Sequence, residues 1–529
     1  IFFRVSIFFS SCCPLSSCQM SGDQAESSSD VEIRNIIAQF TPEDGEPVGP
    51  QLHLPVNISV DQLDEVLNKL MGNDDSQPYS YWIGEEEVTE NVAELLLKKQ
   101  KEAWADNMLK KGKRFKKSDT EKVKLTVPTE EVLKIIFRPQ AVFKVRPVTR
   151  CTSTLSGHSE AVLVCSFSPD GNQLVTGSGD CTIRVWDLYT ETAVKVLKAH
   201  TAWVQSISWS PNGERFASGG RDSKVAIWHG KKFERIGNIL QGHKDRINEI
   251  SWEPLHRNLQ CNRLATASKD KTVKVWKLTG QGGTRDMQFS LSGHTGGVQC
   301  VKWGGMGYIY TCSQDRSLMV WDADQGTMVR RLDGHAHWVN YMALNTDIVL
   351  RTGAFDHTDQ RFKTPQEAQD YARQRYEKVI QDCKGERLVS CSDDNTMFMW
   401  DPCRNNKPIT RMTGHMKCVN RVLFSPDGKL IASASFDKSV KLWNAVDGKY
   451  VTTLRGHVSD VYMVAWSSDS RLLLSCSKDT TMKCWSMKSK KIAFDLPGHM
   501  DEVFACDWSP DGLRVASGGK DKNVKIWRH

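Results

Sequence analysis

From residue 158 onward the chain repeats one pattern eight times, at a period near 42 residues, and few folds accommodate that. The last copy, Gly498–His529, reads GHMDEVFACDWSPDGLRVASGGKDKNVKIWRH. An alternating run follows Gly-His, then a Ser-Pro-Asp-Gly turn, a second run, a Lys-Asp-Lys turn and a third run ending in Trp527. Alternation punctuated by Pro, Gly and Asp predicts short antiparallel strands joined by tight turns. The histidine recurs at His158, His200, His243, His294, His335, His415, His457 and His499, and the closing tryptophan at Trp186, Trp228, Trp276, Trp321, Trp400, Trp443, Trp485 and Trp527. An aspartate stands six residues before each tryptophan: Asp180, Asp222, Asp270, Asp315, Asp394, Asp437, Asp479 and Asp521.

This signature resembles the WD-repeat β-propeller family, in which each repeat is one four-stranded blade. The resemblance implies that histidine, turn aspartate, a strand Ser or Thr and the tryptophan form a buried hydrogen-bonded set that pins each blade. His158/Asp180/Trp186, His415/Asp437/Trp443 and His499/Asp521/Trp527 are examples. A single such set looks like a hydrolase triad, but eight copies read as structure rather than catalysis. Only two residues follow Trp527, so the fourth strand of the last blade is expected from Cys151–Leu155, which would close an eight-bladed ring without a long open edge.

Residues 31–149 have a different pattern. Val31–Phe40, Gln51–Val56, Tyr79–Ile83 and Glu131–Phe137 are strand candidates. Ser59 and Gln62 make a capping box for a helix with Leu63, Val66, Leu67 and Leu70 on one face and Gly72 as its stop. Strand–turn–strand–helix–strand–strand predicts a small α+β ubiquitin-like domain, so the chain is mainly β with an α+β module in front of the ring. A second helix is expected over Val92–Leu109. It leads into a basic insertion at about 97–124, where residues 110–117 carry six Lys or Arg in eight. That run fits nuclear import, rRNA contact or a solvated face. Residues 1–30 are expected to be a leader and flexible tail, with Met20 as the start.

The small domain, the segment Arg138–Arg150, the eight repeats and the phrase at 350–358 together are similar to the Notchless family of 60S ribosome assembly factors. The resemblance implies a non-enzymatic adaptor of the nucleolus and nucleoplasm, a monomer within a large complex. Its ring would dock on the pre-60S particle (ribosomal proteins and rRNA), and its ubiquitin-like domain would be gripped by midasin, a dynein-related AAA ATPase. It further implies no cofactor of the chain's own. One glutamate before the last strand would complete a Mg²⁺ held by midasin's adhesion site, and the register places it on Glu130, with Glu131 as the alternative. Mg²⁺ takes one or two carboxylates among its oxygen ligands, so a carboxylate from a second molecule can close such a site. The competing reading is a WD scaffold in Notch signalling or a ubiquitin-ligase substrate receptor.

The remaining patterns add limits. Sixteen scattered cysteines include no spaced CxxC pair, which indicates neither a zinc site nor a disulfide framework and suits a reducing compartment. No run approaches 18 apolar residues, so no membrane span is expected. The residues flanking the turn aspartates are expected to rim one end of the channel. Eight of the sixteen are basic and one is acidic. Arg221, Lys269, Lys271, Arg316, Phe436, Lys438, Lys478, Lys520 and Lys522 are candidate partner contacts, and Trp203 and Trp338 are either exposed aromatic anchors or core packing residues. The fifth repeat carries a helical insertion at about 346–384. Thr364, Pro365 and Glu367 cap a helix running to about Cys383, on the face opposite the turn aspartates. It would either pack on the ring or dock a second partner.

Overall fold

The computed structural model describes residues 35–42, 46–72, 78–84, 86–88, 91–110, 132–139, 145–279, 286–356, 362–383 and 385–529. The leader with Met20, the basic run beyond Lys110, Glu130 and Glu131 lie outside the described residues. The chain forms two compact units, Ile1–Val142 and Phe143–His529.

In the first unit β1 (Asn35–Pro42), β2 (Val48–Pro55), β3 (Tyr79–Ile83), β4 (Glu86–Glu87) and β5 (Val132–Pro139) form one sheet in the order β2-β1-β5-β3-β4. β1 and β5 run parallel at its centre, as in a ubiquitin-like roll. The capping box forms as the sequence predicts: the Ser59 side chain accepts from the Gln62 N–H, and Gln62 accepts in return from the Ser59 N–H. Gly72 ends α1 (Val60–Met71) at φ 66°, a left-handed value that suits a residue without Cβ. Leu63 and Leu67 of α1 are buried with Phe40, Tyr81 and Ile135 of the sheet. α2 (Val92–Lys110) inserts Val92 and Leu95 into the same core.

The second unit is a ring of eight blades. The innermost strands pack side by side around it, and the last, Val503–Trp508, packs against the first, Val162–Phe167. β6 (Arg150–Leu155) pairs antiparallel with Val524–Arg528, matching Leu155 to Val524, Ser153 to Ile526 and Cys151 to Trp527. The segment just before it is docked as well. The Val145 N–H donates to Asp469 at 2.8 Å, the Thr149 N–H donates to the Arg528 carbonyl at 2.9 Å, and Val145 and Val148 are buried with Leu472, Trp508 and Val515.

Seven blades have four strands; the second has three. There Gly237, at φ 65°, interrupts the outer run, and the edge is held by isolated bonds: Leu240 and Val225 exchange a reciprocal pair at 2.8 and 3.2 Å, and the Ile236 N–H donates to the Ile227 carbonyl at 2.8 Å.

The fifth-blade insertion, between Leu344 and Leu388, holds two helices where the sequence predicts one. α3 (Asp347–Thr352) reaches across the channel: Arg351 pairs with Asp507 of blade 8, and the next residue but one, Gly353, comes against Pro211 of blade 2. A Cβ on Gly353 would stand 2.6 Å from the Pro211 carbonyl oxygen, and φ there is 58°, so glycine is required twice over. α4 (Pro365–Asp382) follows, its Ala372 and Tyr376 buried. Tyr376 stacks on His256 of blade 3, with ring centroids 4.5 Å apart. Thr364 caps it by accepting from the Glu367 N–H, but the capping box is not reciprocal. The Glu367 carboxylate accepts from the Lys363 N–H, one residue earlier than expected.

Candidate functional site

The eight His/Asp/Trp sets converge on a buried hydroxyl. In blade 6 His415 Nδ1–H donates to Asp437 at 2.7 Å, the Ser433 hydroxyl donates to His415 Nε2 at 2.8 Å, and Trp443 Nε1–H donates back to Ser433 Oγ at 2.9 Å. Blade 1 repeats it with His158, Asp180, Thr176 and Trp186, and blade 8 with His499, Asp521, Ser517 and Trp527. Ser433, Thr176 and Ser517 are fully buried.

Each aspartate also fixes the hairpin around it. Asp437 accepts from the Met416 N–H, the Ser439 N–H and the Ser439 hydroxyl. Burial alone would raise its pKa, but the bonds from His415, Ser439 and Met416 hold the carboxyl well below the usual range. Asp180 is held at about 2 by the same balance. The residue after each aspartate is left-handed in all eight blades: Cys181, Ser223, Lys271, Arg316, Asn395, Lys438, Thr480 and Lys522 have φ between 61° and 73°. Such Asx-type turns tolerate φ > 0 and put the following side chain at the hairpin tip.

The rim is not uniform. Lys478 lies 4.0 Å from Glu502, Lys520 lies 3.5 Å from Asp501 and 3.8 Å from Glu502, and Lys522 lies 4.0 Å from Glu160, so the basic residues of blades 7 and 8 face acids on the same or the neighbouring blade. Phe436 is half-buried, packed edge-on against Tyr462. Arg221, Lys269, Lys271, Arg316 and Lys438 are exposed and, among the described residues, make no ion pair. Trp203 and Trp338 are each 47% exposed, and the Arg221 guanidinium lies 5.3 Å from the Trp203 ring centre.

Inside the ring is a channel of about 730 Å³ whose charged lining the sequence reading missed. Lys302 Nζ reaches Glu249 at 2.9 Å and the Tyr341 hydroxyl at 2.7 Å, and Arg421 lies 3.6 Å from the Tyr341 ring centre. Burial is the largest influence on Lys302 and works against its charge, but Glu249, Tyr341, Asp347 and Cys300 together outweigh it and keep the ammonium well above its ordinary pKa. The carboxyl of Asp347 of α3, half-buried nearby, is pushed up by desolvation. The signal was available: Glu249, Lys302 and Arg421 are charged residues inside innermost strands. Among the described residues no three His, Cys, Asp or Glu side chains cluster to hold a metal, and no helix is long and apolar enough to cross a membrane.

Ring closure, eight blades and the repeated tetrads define a WD-repeat propeller. The WD domain, G-beta repeat family matches residues 149–187, 191–229, 234–277, 285–322, 379–401, 406–444, 448–486 and 490–528. The NLE (NUC135) domain family matches residues 36–96. The chain belongs to the Notchless family. It is 46% identical to Protein Notchless of Drosophila melanogaster, over 77% of this chain and 78% of that one. It is 47% identical to the Notchless protein homolog of Arabidopsis thaliana, over 79% and 82%. It is 45% identical to Ribosome assembly protein 4 of Saccharomyces cerevisiae, over 79% of each. The crystal structure of the computationally designed Ika8 protein superposes with a TM-score of 0.56 at 24% identity, covering 72% of this chain and all of that one, which is a likeness of fold.

Proposed function

We propose that this protein is a non-enzymatic adaptor in large-subunit ribosome assembly, acting in the nucleolus and nucleoplasm. The observation that carries the reading is the relation to Ribosome assembly protein 4, which spans most of both chains. The ring is the particle-docking platform. The ubiquitin-like unit is the handle for a midasin-type AAA ATPase, and Glu130 contributes a carboxylate to the Mg²⁺ of that partner's adhesion site. Glu130 stands two residues before Val132 in the sequence, where β5, the central strand of the sheet, begins. The docked segment Val145–Thr149 favours transmission of a pull into the ring, because Val145 and Val148 are buried in it.

The test is sedimentation of the tagged full-length protein from nuclear extract. Co-migration with large-subunit precursor rRNA is expected. Co-migration with ubiquitin-ligase components or receptor tails, and not with that rRNA, would overturn the reading.

A further inference from the structure

On the turn-aspartate face, blades 2–4 differ in charge pairing from blades 7, 8 and 1, while Lys417 and Lys438 of blade 6 are also exposed. Over blades 2–4 five basic side chains are exposed, Arg221, Lys244, Lys269, Lys271 and Arg316, and none makes an ion pair among the described residues. The exposed acid among the loops that carry them is Asp245. The turn aspartates of these blades are engaged with His200, His243 and His294. In blade 4 the loop that carries an acid in blades 1, 3, 7 and 8 is Thr295-Gly296-Gly297. Gly296 cannot be replaced without strain, since a Cβ there would lie 2.6 Å from the Asp315 backbone nitrogen. At the blade 2 end of the sector Trp203 is 47% exposed with Arg221 against it. Across the ring, by contrast, Glu160, Asp501 and Glu502 face the lysines of blades 7 and 8.

Uncompensated cations spread over three blades match a chain of evenly spaced phosphates. Lysine and arginine release counterions from such a chain, and an exposed tryptophan with an arginine beside it is a stacking platform for an unpaired base. An acidic protein segment would use the charges but not the indole. We infer that the turn-aspartate face of blades 2–4 binds single-stranded or looped RNA, with Lys269, Lys271 and Arg316 on its phosphates and Trp203 under a base. The inference deepens the particle-docking reading above and rests on it for the source of the RNA.

The experiment is fluorescence anisotropy of the full-length protein with a single-stranded RNA of about 20 nucleotides across a salt series, with poly-glutamate as the acidic competitor. The triple variant Lys269→Gln/Lys271→Gln/Arg316→Gln should weaken binding at least about tenfold. It should also make the slope of log K against log salt shallower by about 2, at roughly 0.7 per phosphate contact on single strands. Trp203→Ala should weaken RNA binding by about fivefold or more, since stacking contributes roughly 1–3 kcal/mol per base. Lys478→Gln/Lys520→Gln/Lys522→Gln should change it less than about twofold, because those lysines already face carboxylates. Thermal melting of each variant reports whether the fold is intact. Equal losses in the two triples would overturn the inference, as would poly-glutamate competing as well as RNA with Trp203→Ala silent. Co-sedimentation of the wild-type protein with precursor particles without RNA binding in vitro would overturn this inference alone. RNA binding without co-sedimentation would overturn the docking reading and leave the surface standing.

Discussion

Arg351 of the blade 5 insertion forms a two-point ion pair with Asp507 of blade 8, Nη1 to Oδ1 at 3.0 Å and Nη2 to Oδ2 at 2.9 Å, tying one side of the ring to the other across its channel. The same carboxylate accepts the Phe167 N–H of blade 1 at 3.0 Å, so one side chain joins three separate parts of the ring.

Arg351→Met should cost about 1–2 kcal/mol, less than the roughly 3–5 kcal/mol of a fully buried pair broken on one side, because the Arg351 side chain is 44% exposed. Hydrogen exchange read by mass spectrometry should show residues 347–356 losing protection while the four strands of blade 5 keep theirs. Unchanged protection would mean that α3 is held by its apolar contacts alone.

Asp437→Ala orphans the Met416 N–H, His415 Nδ1–H and the Ser439 donors. A stability loss of about 1–3 kcal/mol is expected, measured by urea unfolding. Asp437→Asn should recover part of it, since its carbonyl still accepts from His415. Equal losses in the two variants would show that charge, not acceptance, matters at this position.

The acid limb of stability should come in two steps. Burial depresses His158 and His499, so between their folded pKa and the ordinary imidazole value of about 6.5 the unfolded chain binds more protons. Stability is therefore full above about pH 6.5 and falls below it. The turn aspartates Asp180 and Asp437 are also depressed, Asp180 to about 2, and their contribution is lost only as pH drops from about 4 through their folded values. Melting temperature recorded from about pH 7.5 to about pH 3 should show both breaks, and a flat profile down to about pH 4.5 would contradict the first.

Gly512 sits at φ 75° with its hydrogen toward the docked segment, and a Cβ there would come 2.6 Å from Val145 Cγ2. Gly512→Ala should destabilise by about 1–3 kcal/mol through overpacking and the left-handed backbone. Val145→Ala removes the clashing methyls, so the double variant should lose less than the two single losses combined. Strict additivity in the cycle would mean that Val145 is not seated against Gly512 in solution.

What repeats was legible in the sequence, and what occurs once was not. The tetrads and the α1 capping box rest on local spacing, and the closing strand at Cys151–Leu155 on the repeat pattern that leaves the last blade one strand short; the coordinates show their hydrogen bonds. Arg351–Asp507 joins residues 156 apart and has no periodic counterpart, so nothing in the local pattern marked it. The Glu249–Lys302–Tyr341 cluster is built from three different blades, so the sequence shows charges inside strand runs without showing that they meet. Counting basic residues found the rim but not its asymmetry, because Glu160, Asp501 and Glu502 lie outside the flanking positions counted. The α4 stripe showed that Ala372 and Tyr376 face a surface, without saying that the surface includes His256. Glu130, placed by family register, lies outside the described residues.

The most direct test of the adaptor account is pull-down of the full-length protein by the isolated adhesion-site domain of the midasin-type ATPase. Wild-type and Glu130→Ala protein are compared, each with and without Mg²⁺. The account predicts capture of the wild-type protein in Mg²⁺ and loss in the other three conditions. Equal capture in all four would contradict it.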